Sequence, residues 1–162
     1  MLFRSAVVEI LPAAREKLTQ SYGIRTHAAI DAQALAAGCV VLAIKPQQMR
    51  EVAGALAPLI KNALIVSIAA GIRAGDLQRW LNGHARIVRV MPNTPALVLA
   101  GVSGLYALPE VSIEDRKTAA SILSAVGETV WVEKETDIDT VTAVSGSGPA
   151  YVFYFKIGRA HV

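Results

Sequence analysis

The sequence predicts an α/β fold built on a doubly wound, Rossmann-like parallel sheet. Apolar runs such as 39–44 and 63–68 have the length and composition of strands that are buried on both faces. Segments with helical spacing separate these runs, and strands joined by crossover helices form parallel sheets. Hydrophobic residues make up 53% of the 162-residue chain, which suffices for such a core and excludes a disordered protein.

Proline, glycine, serine and threonine residues mark the ends of the predicted helices. These helices run from Pro12 to Gly23, from Pro46 to Ile60, over a short stretch after Gly71, from Ser112 to Gly127, and from a Thr136 cap onward. The predicted strands lie at 39–44, 63–68, 87–90, 101–108 (a weaker candidate) and 128–133. Ser112 has the pattern of an N-cap, with Asp115 three residues further on. We expect the segment 145–149, rich in glycine and ending in proline, to interrupt the last helix.

Composition and spacing exclude several classes of protein. The single cysteine, Cys39, cannot form an internal disulfide, and His27, His84 and His161 are too far apart in sequence to suggest a metal site. Basic residues are scattered singly, so no nucleic-acid partner is expected. The uncharged stretch 90–109 contains prolines and glycines and cannot form a membrane-spanning helix. With no signal peptide visible, we expect a cytoplasmic protein.

Three segments that could contact a ligand follow predicted strands, and ligands of open parallel sheets bind outside the carboxyl ends of the strands. Lys45, after the first strand, can reach toward a phosphate or carboxylate, or it can be an ordinary solvated surface lysine. The small residues 69–71 suit close approach of a flat ring. Asn93 and Thr94 offer hydrogen bonds from a loop held rigid by flanking prolines. The sequence therefore predicts one crevice with three walls.

Four motifs carry a resemblance to a known family. They are V-L-A-I-K-P at 41–46, V-S-I-A-A-G at 66–71, R-V-M-P-N-T-P-A-L-V at 89–98 and V-S-G-S-G-P-A-Y-V-F at 144–153. Their order and spacing resemble pyrroline-5-carboxylate reductase, the NAD(P)H-dependent enzyme of the last step of proline synthesis, over residues 12–155. The resemblance implies an oxidoreductase that reduces 1-pyrroline-5-carboxylate to L-proline with NADP or NAD as cofactor, NADPH being favoured.

The resemblance also implies which residues touch the dinucleotide. They are Ala43, Ile44, Lys45, Pro46, Ile68, Ala69, Ala70, Asn93 and Thr94. Residues 145–149 match the junction to a helical, dimer-forming domain, which implies that the parent protein is a homo-oligomer, a dimer or larger. No catalytic residue and no metal ligand is assigned. The cofactor supplies the hydride chemistry, and the protein orients the reactants.

Two departures from the family pattern suggest a fragment. The sequence has no Gly-x-Gly-x-x-Gly turn near its start, where the family places the pyrophosphate, and it stops before the helical domain is complete. Residues 1–5 and 157–162 match what common sequencing-adapter DNA encodes, so we expect both tails to be adapter-derived. We then expect a partial dinucleotide-binding domain at 6–136 and the start of the helical dimerisation domain at 137–156. The chain as given is expected to be catalytically inactive.

Two other readings stay open at the level of sequence. The chain could be the nucleotide domain of another NAD(P)-dependent dehydrogenase, of the beta-hydroxyacid or ketopantoate type, although the segments M-P-N-T-P and S-G-S-G-P-A-Y argue against it. It could also be a non-catalytic nucleotide-binding module. Turnover with NADPH and pyrroline-5-carboxylate separates an enzyme from a module, which would show saturable binding alone.

Overall fold

A computed structural model describes residues 5–159 and shows strands alternating with helices. The strands are β1 (Ala6–Val8), β2 (Arg25–His27), β3 (Cys39–Leu42), β4 (Leu64–Ser67), β5 (Ile87–Met91), β6 (Gly101–Ala107) and β7 (Gly127–Trp131). The helices are α1 (Pro12–Tyr22), α2 (Met49–Leu56), α3 (Ala74–Trp80), α4 (Ile113–Leu123), α5 (Glu135–Val141) and α6 (Gly148–Arg159). Of the predicted adapter-derived tails, 1–5 and 157–162, residues 1–4 and 160–162 lie outside the described residues.

The strands form two sheets. β1 and β2 pair in parallel as a two-stranded sheet, and the other five strands lie in the order β3-β4-β5-β6-β7. β3, β4 and β5 are parallel, β6 is antiparallel to β5, and β7 is parallel to β6. The predicted doubly wound, Rossmann-like class is confirmed in a mostly parallel sheet.

The reversal between β5 and β6 corrects the expectation of a sheet that is parallel throughout. A parallel connection needs a crossover of a dozen or more residues, commonly a helix. The segment between β5 and β6 holds only a loop and the 3-10 helix Thr94–Val98. Because the chain is too short there to cross the sheet, it turns back beside β5.

Helices cover both faces of the five-stranded sheet. Every residue of β4 is buried, and successive residues pack against helices on opposite faces. Ile65 packs with α2 and α3 on one face, whereas Leu64 and Val66 pack with α4 on the other. The first core consists of Leu42, Met49, Ala53, Leu56, Ile65, Ala69, Ala74, Leu77, Leu81 and Ile87. The second consists of Leu64, Val66, Val88, Val90, Leu105, Ala107, Val111, Ala119 and Leu123.

Several predicted boundaries are confirmed and others are wrong. Gly23 ends α1 in the left-handed conformation, with φ 62°, and the Ser112 hydroxyl caps α4 by accepting a hydrogen bond from the Asp115 amide at 3.1 Å. α4 ends at Leu123 and is continued by the 3-10 helix Ser124–Val126, whose C-cap is Gly127, so the predicted glycine closes this helical stretch and also opens β7. Thr136 is not a cap, because α5 already begins at Glu135. The strands β1 and β2 were not predicted, since three residues are too few to show a period.

The last part of the chain is helical. α5 continues into one π-helical turn, Thr142–Gly146, and α6 follows, so the segment 145–149 changes the helical pitch as expected. α6 carries an exposed apolar run over 151–155. Among residues 5–159, no helix combines the length and the apolar character needed to cross a membrane.

Candidate functional site

The three predicted crevice segments lie side by side at one edge of the sheet. In the pairing register, Leu42 of β3 lies opposite Ser67 of β4, and Ser67 lies opposite Arg89 of β5. The Ile68 amide donates to the Leu42 carbonyl at 3.2 Å, so the chain after β4 stays attached to the end of β3. Because the three strands run in parallel, the residues that follow them share this edge. The structure therefore brings the three predicted walls together.

The first wall is formed by the residues after β3. Ala43 and Lys45 are exposed, whereas Ile44 and Pro46 are partly buried. Lys45 has extended backbone angles (φ −64°, ψ 139°), which is what a following proline imposes. The 3-10 helix Pro46–Gln48 begins directly afterwards. The lysine side chain is thus free to extend along the sheet edge.

The second wall is built from small residues. The methyl group of Ala69 is buried in the core, so this residue can offer a ligand only its backbone. Its amide donates to the Ser67 hydroxyl at 3.4 Å. Ala70 is exposed and Ile68 is partly buried, and Gly71 turns the chain with φ 77°. A flat group can approach this wall closely because little side-chain volume stands in front of it.

The third wall is the loop after β5, and Asn93 holds its shape. The Asn93 side-chain amide donates from Nδ2 to Ser145 Oγ at 2.9 Å, and its Oδ1 accepts from the Val102 amide at 2.9 Å. One side chain thereby joins the loop to β6 and to the π-helical turn. Thr94, the next residue, is exposed. The predicted roles of Asn93 and Thr94 toward a cofactor stay predictions, and the structure adds a loop-bracing role for Asn93.

The tip of this loop is apolar and exposed. Leu97, Val98 and Leu99 expose 70–85% of their surface, and Leu99 adopts φ 60°. A left-handed backbone is rare for a leucine. The third wall therefore ends in an apolar tip beside the crevice.

A buried arginine lies behind the crevice, and the sequence analysis did not single it out. Arg89, in β5, is 2% exposed. It donates from one nitrogen to Glu135 Oε1 at 3.2 Å and from the other to Asp139 Oδ1 at 3.1 Å. The available signal was a lone arginine inside the apolar strand 87–90.

A second ion pair lies at the opposite edge of the sheet. Arg86 binds Asp115 with two hydrogen bonds of 3.0 and 2.7 Å, and also donates to the Asn62 carbonyl. The hydrogen bond from Arg86 lowers the pKa of Asp115, although burial acts in the other direction. Burial, and secondly the charge of Asp115, raises the pKa of the Cys39 thiol from 9.0 to about 11. Cys39 is therefore a poor nucleophile near neutral pH.

An open cavity of about 440 Å³ also lies at this opposite edge, where β3 and β4 begin. Its lining comes from Ala32, residues 35–38, Val40 and residues 59–63. It is separate from the crevice, whose walls follow the ends of the strands. Among the described residues, no group of three or more acidic, histidine or cysteine side chains is arranged to hold a metal ion.

A mostly parallel sheet with helices on both faces and a crevice outside the ends of its strands defines the Rossmann-like fold class. Residues 7–71 match the family described as NADP oxidoreductase, coenzyme F420-dependent. Solved structures agree with this class. A pyrroline-5-carboxylate reductase from Coxiella burnetii superposes with a TM-score of 0.85 at 37% identity, over 93% of this chain and 56% of that one.

The similarity to particular relatives is closer still. Over 125 residues the chain is 54% identical to the pyrroline-5-carboxylate reductase of Pseudomonas aeruginosa, covering 76% of this chain and 46% of the relative. It is 44% identical over 144 residues to that of Vibrio alginolyticus, covering 88% and 53%. The resemblance that the four motifs predict is confirmed: in sequence and in fold, this chain is similar to the pyrroline-5-carboxylate reductases. It spans about half the length of the curated relatives it matches.

Proposed function

We propose that this chain supplies the dinucleotide-binding part of an enzyme that reduces 1-pyrroline-5-carboxylate to L-proline with NAD(P)H. The observation that carries the proposal is the 54% identity over 125 residues to a pyrroline-5-carboxylate reductase. Three of the four motifs that underlie the resemblance form crevice walls, and the fourth supplies Ser145, which accepts the hydrogen bond from Asn93. Sequence similarity and site geometry therefore support the same proposal.

The residues of the crevice suit a nicotinamide dinucleotide. Ala69, Ala70 and Gly71 leave room for a flat ring against the backbone. Lys45 supplies a positive charge at the exposed end of β3, where a phosphate or a ribose could reach it. When bound, the reduced cofactor supplies a hydride for the imine carbon of the substrate. The part of this chain is to bind and orient, with Ala43, Ile44, Lys45, Pro46, Ile68, Ala69, Ala70, Asn93 and Thr94 as the proposed contacts.

NADPH is the cofactor we favour over NADH. The matching family is described as an NADP oxidoreductase, and a pyrroline carboxylate reductase from Plasmodium falciparum was solved with NADP bound. That protein is 26% identical and superposes with a TM-score of 0.74 over 94% of this chain and 65% of its own. We further propose a cytoplasmic homo-oligomer that binds a small-molecule substrate and no nucleic acid. In it, residues 6–136 form the partial nucleotide domain and residues 137–156 begin the helical one.

Genetic complementation tests the proposed reaction. A longer genomic reading frame that contains this sequence is expressed in a strain that requires proline for growth. Restored growth supports the proposal, and absence of growth despite soluble protein contradicts it. The 162-residue chain itself is assayed in parallel for NADPH oxidation with pyrroline-5-carboxylate. We expect no turnover from it, and substrate-dependent turnover by a monomer would contradict the proposed division of the protein.

Lys45→Ala tests the proposed cofactor site within the longer protein. We expect the KM for the dinucleotide to rise more than kcat falls, because a side chain that only holds the cofactor stabilises ground state and transition state equally. The matched control is Lys61→Ala, which removes an exposed lysine that precedes β4 at the other edge of the sheet. An unchanged KM in the Lys45 variant would assign this lysine to the solvated surface.

A further inference from the structure

Arg89 connects the crevice to the helix that lies behind it. Its guanidinium joins β5 to α5 through Glu135 and Asp139, at 3.2 and 3.1 Å. Only 3% of the arginine side chain is exposed, whereas the two carboxylates are 18% and 49% exposed. A buried guanidinium needs such partners, because an unpaired charge in the protein interior is costly. The pairing therefore fixes the position of α5 against β5.

The same two carboxylates also hold the second wall of the crevice. Glu135 Oε1 accepts a hydrogen bond from the Ala74 amide at 2.7 Å, and Asp139 Oδ2 pairs with Arg73 at 3.2 Å. Arg73 and Ala74 lie two and three residues after Gly71, at the start of α3. Each acid thus binds the buried arginine on one side and the base of the second wall on the other.

The third wall is attached to the same helix. Asn93, four residues after Arg89, donates to Ser145 in the π-helical turn that continues α5. α5 and its continuation therefore contact the chain behind both walls, and Arg89 is the buried charge that both acids share. A change in this pairing displaces the two walls relative to each other, because the elements between them are regular and well packed.

We propose that Arg89 is a positioning residue for the crevice, acting through Glu135 and Asp139 to set the spacing between the 68–71 wall and the 91–95 wall. The inference deepens the proposed function and rests on it in one respect, namely that the ligand held between the walls is a dinucleotide. Arginine suits this role because its two terminal nitrogens reach two different carboxylates at once, whereas the ammonium group of lysine is a compact point charge.

The test compares Arg89→Met with Arg86→Met in the full 162-residue chain. Arg86 makes a bidentate pair with Asp115 at the other edge of the sheet, so the control removes an arginine–carboxylate pair away from the crevice. Binding of NADPH is followed by its fluorescence, and the melting temperature is recorded for each protein. We expect Arg89→Met to weaken NADPH binding about tenfold and Arg86→Met to lower the melting temperature without weakening binding. Equal losses of affinity in both variants would overturn the inference.

Amide hydrogen exchange provides a readout that needs no ligand. In Arg89→Met, the amides of Ala74 and Val102 should exchange about tenfold faster, since both depend on side chains held by α5 or by the loop. In Arg86→Met they should be unchanged. If the unaltered chain does not bind NADPH, the proposed function fails for this chain, while the exchange rates still decide the positioning role. Unchanged exchange at both amides in Arg89→Met would overturn it.

Two milder variants cover the case in which Arg89→Met does not fold. Asp139→Asn removes the charge of a half-exposed carboxylate that pairs with Arg73. This change should loosen the 68–71 wall, which Arg73 follows, more than the Asn93 loop. Arg89→Lys should recover the melting temperature more fully than the NADPH affinity, because one ammonium restores charge without spanning both carboxylates. Full recovery of both quantities by lysine would show that charge alone, rather than the two-sided geometry, is what the fold requires.

Discussion

Asn93 shows how one side chain can set the shape of a loop. Its amide group provides both a donor and an acceptor, and both are used, toward the Ser145 hydroxyl and the Val102 amide. An ionised aspartate of similar size has no donor for the Ser145 hydroxyl, and leucine has neither a donor nor an acceptor. The choice of asparagine at this position is therefore explained by the loop itself, before any ligand is considered.

Asn93→Asp separates the two bonds made by this side chain. The carboxylate keeps an acceptor for the Val102 amide but has no donor for Ser145 at neutral pH. We expect the free energy of unfolding to fall by about 1–2 kcal/mol, the cost of a lost hydrogen bond at a partly buried site. Urea unfolding measures it. In a chain that already carries Ser145→Ala, Asn93→Asp should lower the free energy of unfolding clearly less. If the losses of unfolding free energy from the two substitutions were strictly additive, a direct bond between the side chains would be contradicted.

Asp115 makes stability depend on pH in the acid range. Its hydrogen bonds from Arg86 hold the folded-state pKa below the ordinary value of 3.8. A lowered carboxylate pKa contributes stability that is fully present above 3.8 and is lost as the pH falls through the folded value. Unfolding free energies measured from about pH 7 to about pH 2 should therefore fall less steeply for Asp115→Asn than for the unaltered chain. Identical slopes would mean that other carboxylates govern the acid transition.

At the scale of the element, β6 and β7 approach each other closely where they begin. Gly127 opens β7 with φ 147°, and a Cβ placed there would lie 2.0 Å from the Gly101 carbonyl oxygen. Both the positive φ and the contact with backbone exclude a side chain. The glycine is thus required by the pairing of two strands.

Gly127→Ala should lower the free energy of unfolding by about 3 kcal/mol or more, because backbone must move to admit the methyl group. Gly54→Ala in α2 is the matched control. A Cβ at Gly54 meets nothing within 4 Å, and alanine in a helix interior should raise stability by about 0.5–1 kcal/mol. Thermal or urea unfolding compares the two variants. A stable Gly127→Ala protein would show that the strands can separate at this end without loss.

The elements that the sequence predicts well are those whose signal is local. Strands β3 and β4 are predicted because each is a continuous apolar run, and the cap of α4 is predicted because Ser112 and Asp115 lie three residues apart. The crevice at their ends followed from a general rule about parallel sheets. The sequence alone therefore predicts the residue ranges of the three crevice walls.

The features that sequence reasoning missed depend on distant pairing. Arg89 meets Glu135 and Asp139 across 46 and 50 residues, and no local period or motif joins such partners. The direction of β6 depends on the length of the preceding connection rather than on its own residues. The short strands β1 and β2 pair with each other in parallel. Each has only three residues, too few to show an alternating pattern in the sequence.

For the whole molecule, the apolar surface of α6 has consequences in solution. Tyr151, Val152, Phe153, Tyr154 and Phe155 are all 55–77% exposed. Such a surface, apolar around the whole helix, is typical of segments that are covered in an assembly. We expect the 162-residue chain to self-associate and to be poorly soluble.

Gel filtration over a range of concentrations tests this expectation. Tyr154→Lys combined with Phe155→Glu should shift the chain toward the monomer, because charges on the helix oppose its burial. Leu97→Glu, at the exposed tip of the crevice loop, serves as the control for adding charge to an apolar surface elsewhere. A monomer at every concentration for the unaltered chain would contradict the expectation. An equal effect of the control would place the contact at the loop instead.

The antiparallel pairing of β5 with β6 also bears on the order in which the chain folds. Met91 pairs with Gly104, a short distance along the chain, whereas β3 and β4 must wait for a helix to cross between them. Pairings of small sequence separation lose less chain entropy on closing and form sooner. We therefore expect the hairpin of β5 and β6 to form early in folding, with the loop at 92–100 as its turn. The same loop serves the chain twice, first in the kinetics of folding and later as a wall of the crevice.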